Sequence, residues 1–252
     1  MSAENVETVN IGGDPRLLIT CDHASNRVPP EIGSLGLAAG EMARHIAFDV
    51  GARGVALALS AALNAPAVLS TVSRLVIDPN RSADDPTLVM EIADGALIPA
   101  NRRMTTTEIA RRVRTYYAPY HAAIRERLDT AEAHGFAPVI LSVHSMTAQL
   151  GGRPMRPWHY SILYASDTRI ALPLLARLRA EPDLVVGDNE PYHGALEGDA
   201  LAQHGLARGL PHVLIELRND LISTPEGEAI WAERLVAPLR DVLDRHWQGE
   251  NG

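Results

Sequence analysis

The 252-residue chain contains no lysine: all 23 of its basic side chains are arginine. That absence excludes a Schiff base to a carbonyl substrate or to pyridoxal phosphate, a phosphate-loop lysine and a lysine general base. Cationic recognition must therefore use the planar guanidinium fork, which suits carboxylates and phosphates. Cysteine is almost as scarce. The single Cys21 rules out an internal disulfide framework and fits a reducing compartment, and its place inside an apolar run marks it as a buried structural thiol. Positive charge is in deficit, with 31 acidic residues against 23 basic and a formal net charge of −8. This balance argues against nucleic-acid binding through a general basic surface. No run of about 18 apolar residues occurs, and the leader Met-Ser-Ala-Glu-Asn lacks the basic region and apolar core of an export signal. These absences predict a soluble cytoplasmic protein with neither a membrane nor a nucleic-acid partner.

What is present points to one large domain. Hydrophobic residues make up 46% of the chain, ample for a full core, and a single domain over 1–252 is expected. Apolar runs of strand length occur at 16–21, 67–72, 139–143, 160–164 and 212–217. Alanine- and leucine-rich segments at 38–63, 106–134, 169–179 and 226–247 read as helices, with Thr105 to Thr107 offering N-caps and Gly135 a stop. Strands separated by helices predict an α/β three-layer sandwich, its mixed, mainly parallel sheet covered by helices on both faces. The arginine-rich stretch 102–114 reads as a solvated helix face. Loop-rich stretches at 78–101 and 151–159 are long enough to border a site.

Three strand-like runs end in residues that can carry chemistry, at His23, His144 and Glu216. In open α/β sheets ligands bind outside the carboxyl ends of the strands, so parallel neighbouring strands would bring these three together. Two neutral imidazoles and a carboxylate make an open zinc site. Glu216 could be the third ligand, but metal-assisted hydrolysis also needs a carboxylate free to take a proton from water. That requirement favours Asp49 as the third ligand, with His45 one turn earlier as its competitor. A structural alternative pairs Asp49 with Arg53 four residues along a helix. Ser25 and Ser145 lack a base-and-orienter arrangement, which argues against a serine nucleophile.

The segments Cys21-Asp22-His23-Ala24-Ser25-Asn26, Asp49-Val50-Gly51-Ala52, Arg74-Leu75-Val76-Ile77-Asp78-Pro79-Asn80-Arg81, Ser142-Val143-His144-Ser145, Asn189-Glu190-Pro191-Tyr192 and Glu216-Leu217-Arg218-Asn219-Asp220 occur in that order. Together they resemble the N-formylglutamate amidohydrolase family, over about residues 16–240. That family is similar in fold to zinc-dependent exopeptidases and to N-acetylmuramoyl-alanine amidases. The resemblance implies zinc held by His23, Asp49 and His144, with Glu216 as general base. An aspartate stands where the wider group usually has glutamate. Arg81 and Asn80 resemble the pair with which zinc carboxypeptidases hold a terminal carboxylate. Arg218 follows Glu216 by two and so faces the same side of a strand. Arg74 is a third candidate for the substrate's carboxylates, and Tyr192 could close the pocket. The expected reaction is hydrolysis of an N-formyl or related N-acyl amino acid, N-formyl-L-glutamate foremost, in histidine catabolism. The alternatives are another N-acyl amino acid or small peptide, or a non-catalytic binder of an amino-acid derivative. The oligomeric state stays open, a homo-oligomer included.

Overall fold

Alternation along three central strands sorts their side chains onto two faces. Leu17, Ile19 and Cys21 of β2 (Leu17–Cys21), Val139, Leu141 and Val143 of β6 (Val139–Met146), and Val213, Ile215 and Leu217 of β9 (His212–Arg218) enter one buried cluster. Their partners there come from α2 (Ala52–Ala62), α5 (Ala171–Arg179) and α7 (Pro225–Trp247). Leu18, Ile140 and Leu214, each one position over, pack on the opposite face against Tyr120, Ile124 and Leu128 of α4 (Ala118–Ala133). The expected three layers are thus present. The molecule is described here from a computed structural model, which covers residues 5–194 and 197–249.

With β1 (Val6–Val9), β3 (Ala67–Ser70), β7 (Tyr160–Leu163) and β8 (Val186–Asp188), the seven-stranded sheet has the order β1-β3-β2-β6-β9-β7-β8. Strands β3, β2, β6 and β9 are mutually parallel, whereas β1 runs antiparallel to β3 and β7 antiparallel to β9. The three reactive strand ends therefore belong to adjacent parallel strands. Among the described residues no helix is long and apolar enough to cross a membrane.

Three expectations need correction. The helix expected over 38–63 is broken into α1 (Ala39–Met42) and α2, and Asp49 lies in the connecting segment. Gly51 ends that segment at φ +78°, where a Cβ would run into the carbonyl of Ile222. Arg53 pairs with Glu7 at 2.8 Å, not with Asp49. The helix expected over 106–134 is present, running without a break through α3 (Thr106–Arg112), a π-helical turn at Val113–Tyr117 and α4. The arginine-rich stretch is not wholly solvated. Arg112 is buried, with Nη1 donating to the Val76 carbonyl at 2.8 Å and to Asn101 Oδ1 at 2.9 Å. Strands β1 and β8, a hairpin of β4 (Ile92–Ala93) and β5 (Ala96–Leu97), and α6 (Ala200–His204) were not legible beforehand. The loop-rich region has its own core, in which Leu75, Val76, Ile77, Leu88 and Ile98 pack with Tyr116 and Tyr117.

Beside α4 lies a buried histidine pair. His121 Nε2 is 3.0 Å from the Pro79 carbonyl, which can only accept, so that nitrogen donates and Nδ1 accepts from His204 Nε2 at 2.8 Å. Burial pushes the pKa of His121 down to about 4; burial, with the neighbouring His121 adding to it, takes His204 to about 3. Between the ordinary value of 6.5 and these values the unfolded chain binds protons that the fold refuses, so stability is lost as pH falls through this window. The expected loss from His121 alone is on the order of 3 kcal/mol by pH 4. Thermal unfolding between pH 7 and 4.5 should show it, with a shallower slope once both histidines are replaced by glutamine. A slope unaltered by that replacement would assign the acid sensitivity elsewhere.

Candidate metal centre and active site

The alternation that sorts the core also aims the site. His144 and Glu216 continue the α4-facing sets of β6 and β9, and they stand directly opposite each other in the parallel register. His23 follows the last residue of β2 by two. Asp49 reaches the same place from the segment before α2, its backbone N–H donating to the His23 carbonyl at 3.0 Å. One ligand atom each from His23, Asp49 and His144 can be chosen so that all lie within 4.8 Å of one another, and all three residues are buried.

Second carboxylates set the tautomers. His23 Nε2 lies 2.7 Å from Asp78 Oδ1, and His144 Nε2 lies 2.8 Å from Asp22 Oδ2. An ionised carboxylate only accepts, so each Nε2 carries the hydrogen and each Nδ1 faces inward. Asp78 also accepts from Arg74 Nη2 at 2.7 Å and from the Asn80 N–H at 2.9 Å. Burial opposes its ionisation, but Arg74 and His23 hold its pKa well below the usual carboxylate range. Burial likewise opposes ionisation of Asp22, and its contact with His144 keeps its pKa low; Tyr120 Oη donates to its other oxygen at 2.5 Å.

The inward atoms are His23 Nδ1, 3.3 Å from Asp49 Oδ2, and His144 Nδ1, 2.9 Å from the same oxygen. Neutral rings would point two lone pairs at a carboxylate, which is repulsive unless positive charge lies between them. His23 Nδ1 has no hydrogen-bond partner although it is buried. Burial works against protonation of both rings, and Arg74 against that of His23, yet the surrounding carboxylates raise both pKa values, that of His144 strongly. A divalent cation answers the same demand without protonating either ring. Two imidazoles and one carboxylate, with each imidazole braced by a further carboxylate, are a donor set that fits zinc.

Glu216 is only 8% exposed, and its Oε2 is buried without a hydrogen-bond partner. Burial, aided by Asp49 and opposed by His144, lifts its pKa to about 7. It is thus a carboxylate poised near neutrality, next to the candidate metal ligands and not among them.

His45 stands outside the cluster, with Nε2 3.6 Å from Asp94, so Asp49 is the third donor that the fold brings in. Arg74 is occupied within the site, bonded to Asp78 and 3.5 Å from Asp49 Oδ1. Arg218 is occupied as well: Nε bonds Asp220 Oδ1 at 2.8 Å and Nη1 donates to the Arg156 carbonyl at 3.1 Å. Among the described residues the Arg81 guanidinium makes no hydrogen bond; its Nε lies 4.0 Å from Asp78 Oδ2, and its carbonyl accepts from Tyr117 Oη at 2.9 Å. Asn80 Oδ1 accepts from the Ala200 N–H at 3.1 Å. Tyr192 is 44% exposed and its hydroxyl accepts from Arg156 Nη2 at 3.0 Å. Sequence reasoning gave no role to Asp22, Asp78, Tyr120 or Arg156. Strand alternation could have flagged Asp22, which follows Leu18 and Thr20 onto the face shared by His144 and Glu216.

Residues 15–223 match the model of the family described as N-formylglutamate amidohydrolase. No curated protein matches the chain. Among solved structures, a gene product of Agrobacterium tumefaciens is similar at 33% identity and a TM-score of 0.91, covering 96% of this chain and 95% of that one. The N-formylglutamate amidohydrolase of Ralstonia eutropha JMP134 shares the fold at 22% identity and a TM-score of 0.69, covering 95% of this chain and 97% of that one.

Proposed function

Because the chain belongs to the N-formylglutamate amidohydrolase family, we propose that it hydrolyses N-formyl-L-glutamate to formate and L-glutamate with zinc held by His23, Asp49 and His144. The observation that carries this reading is the convergence of two imidazole Nδ1 atoms and Asp49 Oδ2, opposite a buried carboxylate with a pKa near 7. When bound, the ion supplies Lewis-acid polarisation of the amide carbonyl and lowers the pKa of a water molecule.

The chain's own residues account for the rest. Glu216 takes a proton from the attacking water at its free Oε2 and delivers it to the departing nitrogen, so that the C–N bond breaks with acid-base balance kept on one side chain. Asp78 and Asp22 hold the two imidazoles in the tautomer that turns Nδ1 inward. Arg74 offsets the negative charge gathered at Asp78 and Asp49. Arg81 has donors to spare for the substrate's α-carboxylate, with Asn80 beside it. Arg218, two residues beyond Glu216 on β9, and Tyr192, whose hydroxyl is bonded to Arg156, are assigned to the substrate's surroundings. A place in the cytoplasm and in histidine breakdown belongs to the same proposal.

The test is formate release from N-formyl-L-glutamate by zinc-loaded protein, set beside N-acetyl and N-succinyl amino acids and other N-formyl amino acids. Turnover of N-formyl-L-glutamate above the rest is expected. Preference for another acyl group would move the substrate assignment, and binding without turnover of any of them would overturn the catalytic reading.

A further inference from the structure

Arg156 stands apart from the other buried arginines. It is 8% exposed, yet among the described residues no carboxylate lies within 4.0 Å of it. Its two hydrogen bonds go to neutral oxygens, from Nη1 to the Thr147 carbonyl at 3.1 Å and from Nη2 to Tyr192 Oη at 3.0 Å. The guanidinium carbon also sits 5.2 Å from the centre of the Tyr192 ring. Arg112, buried to a similar degree, has Glu108 at 3.2 Å, and Arg74 has Asp78 at 2.7 Å. A guanidinium taken out of water without an anion carries a desolvation cost that neutral acceptors only partly offset. It also keeps donors of its five N–H groups for an incoming anion.

Its position gives that anion a source. Thr147 directly follows β6 and lies three residues beyond His144, about 10 Å along an extended strand. The Arg156 carbonyl is tied to Arg218, which is two residues beyond Glu216 on the adjacent strand. A cleft of about 450 Å³ opens here, lined by Arg156 with Arg153, Trp158, Pro191 and Tyr192. The cationic head is therefore fixed past the ends of the two strands that carry His144 and Glu216, in an open cleft.

We infer that Arg156 is a specificity-determining residue that takes the side-chain carboxylate of an N-acyl dicarboxylic amino acid. This rests on the proposed hydrolysis of an N-acyl amino acid. Arg81 serves the α-carboxylate and Arg156 the distal one, while Arg218 holds the Arg156 backbone in place. Tyr192, which holds Nη2 through its hydroxyl and lies within cation–π range of the guanidinium, fixes that group for a two-point contact with a carboxylate.

The test uses the Glu216→Gln protein loaded with zinc, so that ligands bind without turnover, and titrates it with N-formyl-L-glutamate and its neutral isostere N-formyl-L-glutamine. Adding Arg156→Gln is expected to weaken N-formyl-L-glutamate binding by about 30- to 100-fold, as for loss of a charge-assisted pair, and N-formyl-L-glutamine binding by less than about threefold. Arg156→Lys keeps the charge and loses the fork, so it should weaken the first ligand by about tenfold and leave the second intact. Equal losses for both ligands would show a structural role, and an unchanged preference would remove Arg156 from recognition; either overturns the inference. Formate release is read separately with Glu216 present. A chain that keeps the binding preference and releases no formate loses the hydrolytic reading and retains this one.

Discussion

Replacing Glu216 with glutamine is expected to lower kcat by about 10²- to 10⁴-fold, the range for removing a general base. Glutamine keeps the shape of the side chain and its place opposite His144 but cannot take a proton from water. The metal donors are untouched, so zinc content and far-ultraviolet circular dichroism should match the parent. Burial holds Glu216 near a pKa of 7, where a carboxylate is basic enough to receive a proton and still about half ionised at neutral pH. The kcat/KM of the parent should therefore fall as pH drops and Glu216 protonates. A bound cation favours the carboxylate and moves that limb below 7. Residual activity of the variant should lack this limb. In metal-free protein the sign for stability is opposite. A folded-state pKa raised from 4.5 to about 7 gives stability that is full below 4.5 and is lost as pH rises through 7. Glu216→Gln is thus expected to raise the melting temperature of the metal-free protein at pH 8 while activity collapses, the exchange characteristic of a strained catalytic group. Full turnover in a variant of normal zinc content would remove Glu216 as the base.

Stripping the metal is expected to abolish activity reversibly, with zinc restoring it, and His144→Ala is expected to abolish it beyond rescue by stoichiometric zinc. Both follow from the three inward donors, which have no hydrogen between them once the ring hydrogens are held at Nε2 by the bonds to Asp78 and Asp22. Loading should also stabilise the fold, by about 2.7 kcal/mol when free zinc is at 100 times its dissociation constant. Asp78→Asn and Asp22→Asn leave the inward donors in place and should cost the 10- to 100-fold in metal affinity usual for partners of metal-bound histidines. Undiminished turnover in protein shown by elemental analysis to contain no metal would rule out the centre.

The sheet was legible where burial on both faces makes a strand read as one continuous apolar run, as at Leu17–Cys21, Val139–Val143 and His212–Leu217. Edge strands were not. Val6–Val9 is short and partly exposed, and only its pairing with β3 makes it a strand. The segment 38–63 misled because its composition favours helix throughout, while tertiary contacts break it. Gly51 must pass close to Ile222, and the residues before it deliver Asp49 to His23 and His144. His23, His144 and Glu216 could be singled out because reactive residues at strand ends have a place in the fold before any contact is known. The carboxylates that brace them could not. Asp78 meets a histidine 55 residues away and Asp22 one 122 away, and no local period records such pairings. Arg156 sits in an irregular loop, and what distinguishes it is the lack of a carboxylate beside a buried guanidinium among the described residues, which no local sequence pattern records.

The π-helical turn at Val113–Tyr117 bears on how this chain would tolerate a change of length. Arg112 and Tyr120 are eight residues apart and both buried, the one bonded to Val76 and Asn101, the other to Asp22. In an uninterrupted α-helix that separation would place them about 80° apart around the axis. A π-turn takes up one extra residue, so the two are phased as if seven apart, within about 20° of one face. The same extra residue lets two successive tyrosines turn inward, Tyr116 to Glu31 and Tyr117 to the carbonyl of Arg81. A chain one residue shorter at this point would keep the helix, its phase and the tie to Asp22, and would lose one of the two tyrosine tethers. Deletion of Tyr117 would therefore leave the scaffold intact and release the carbonyl of Arg81, the arginine proposed to meet the substrate, so that a shorter chain here acts on recognition before it acts on folding.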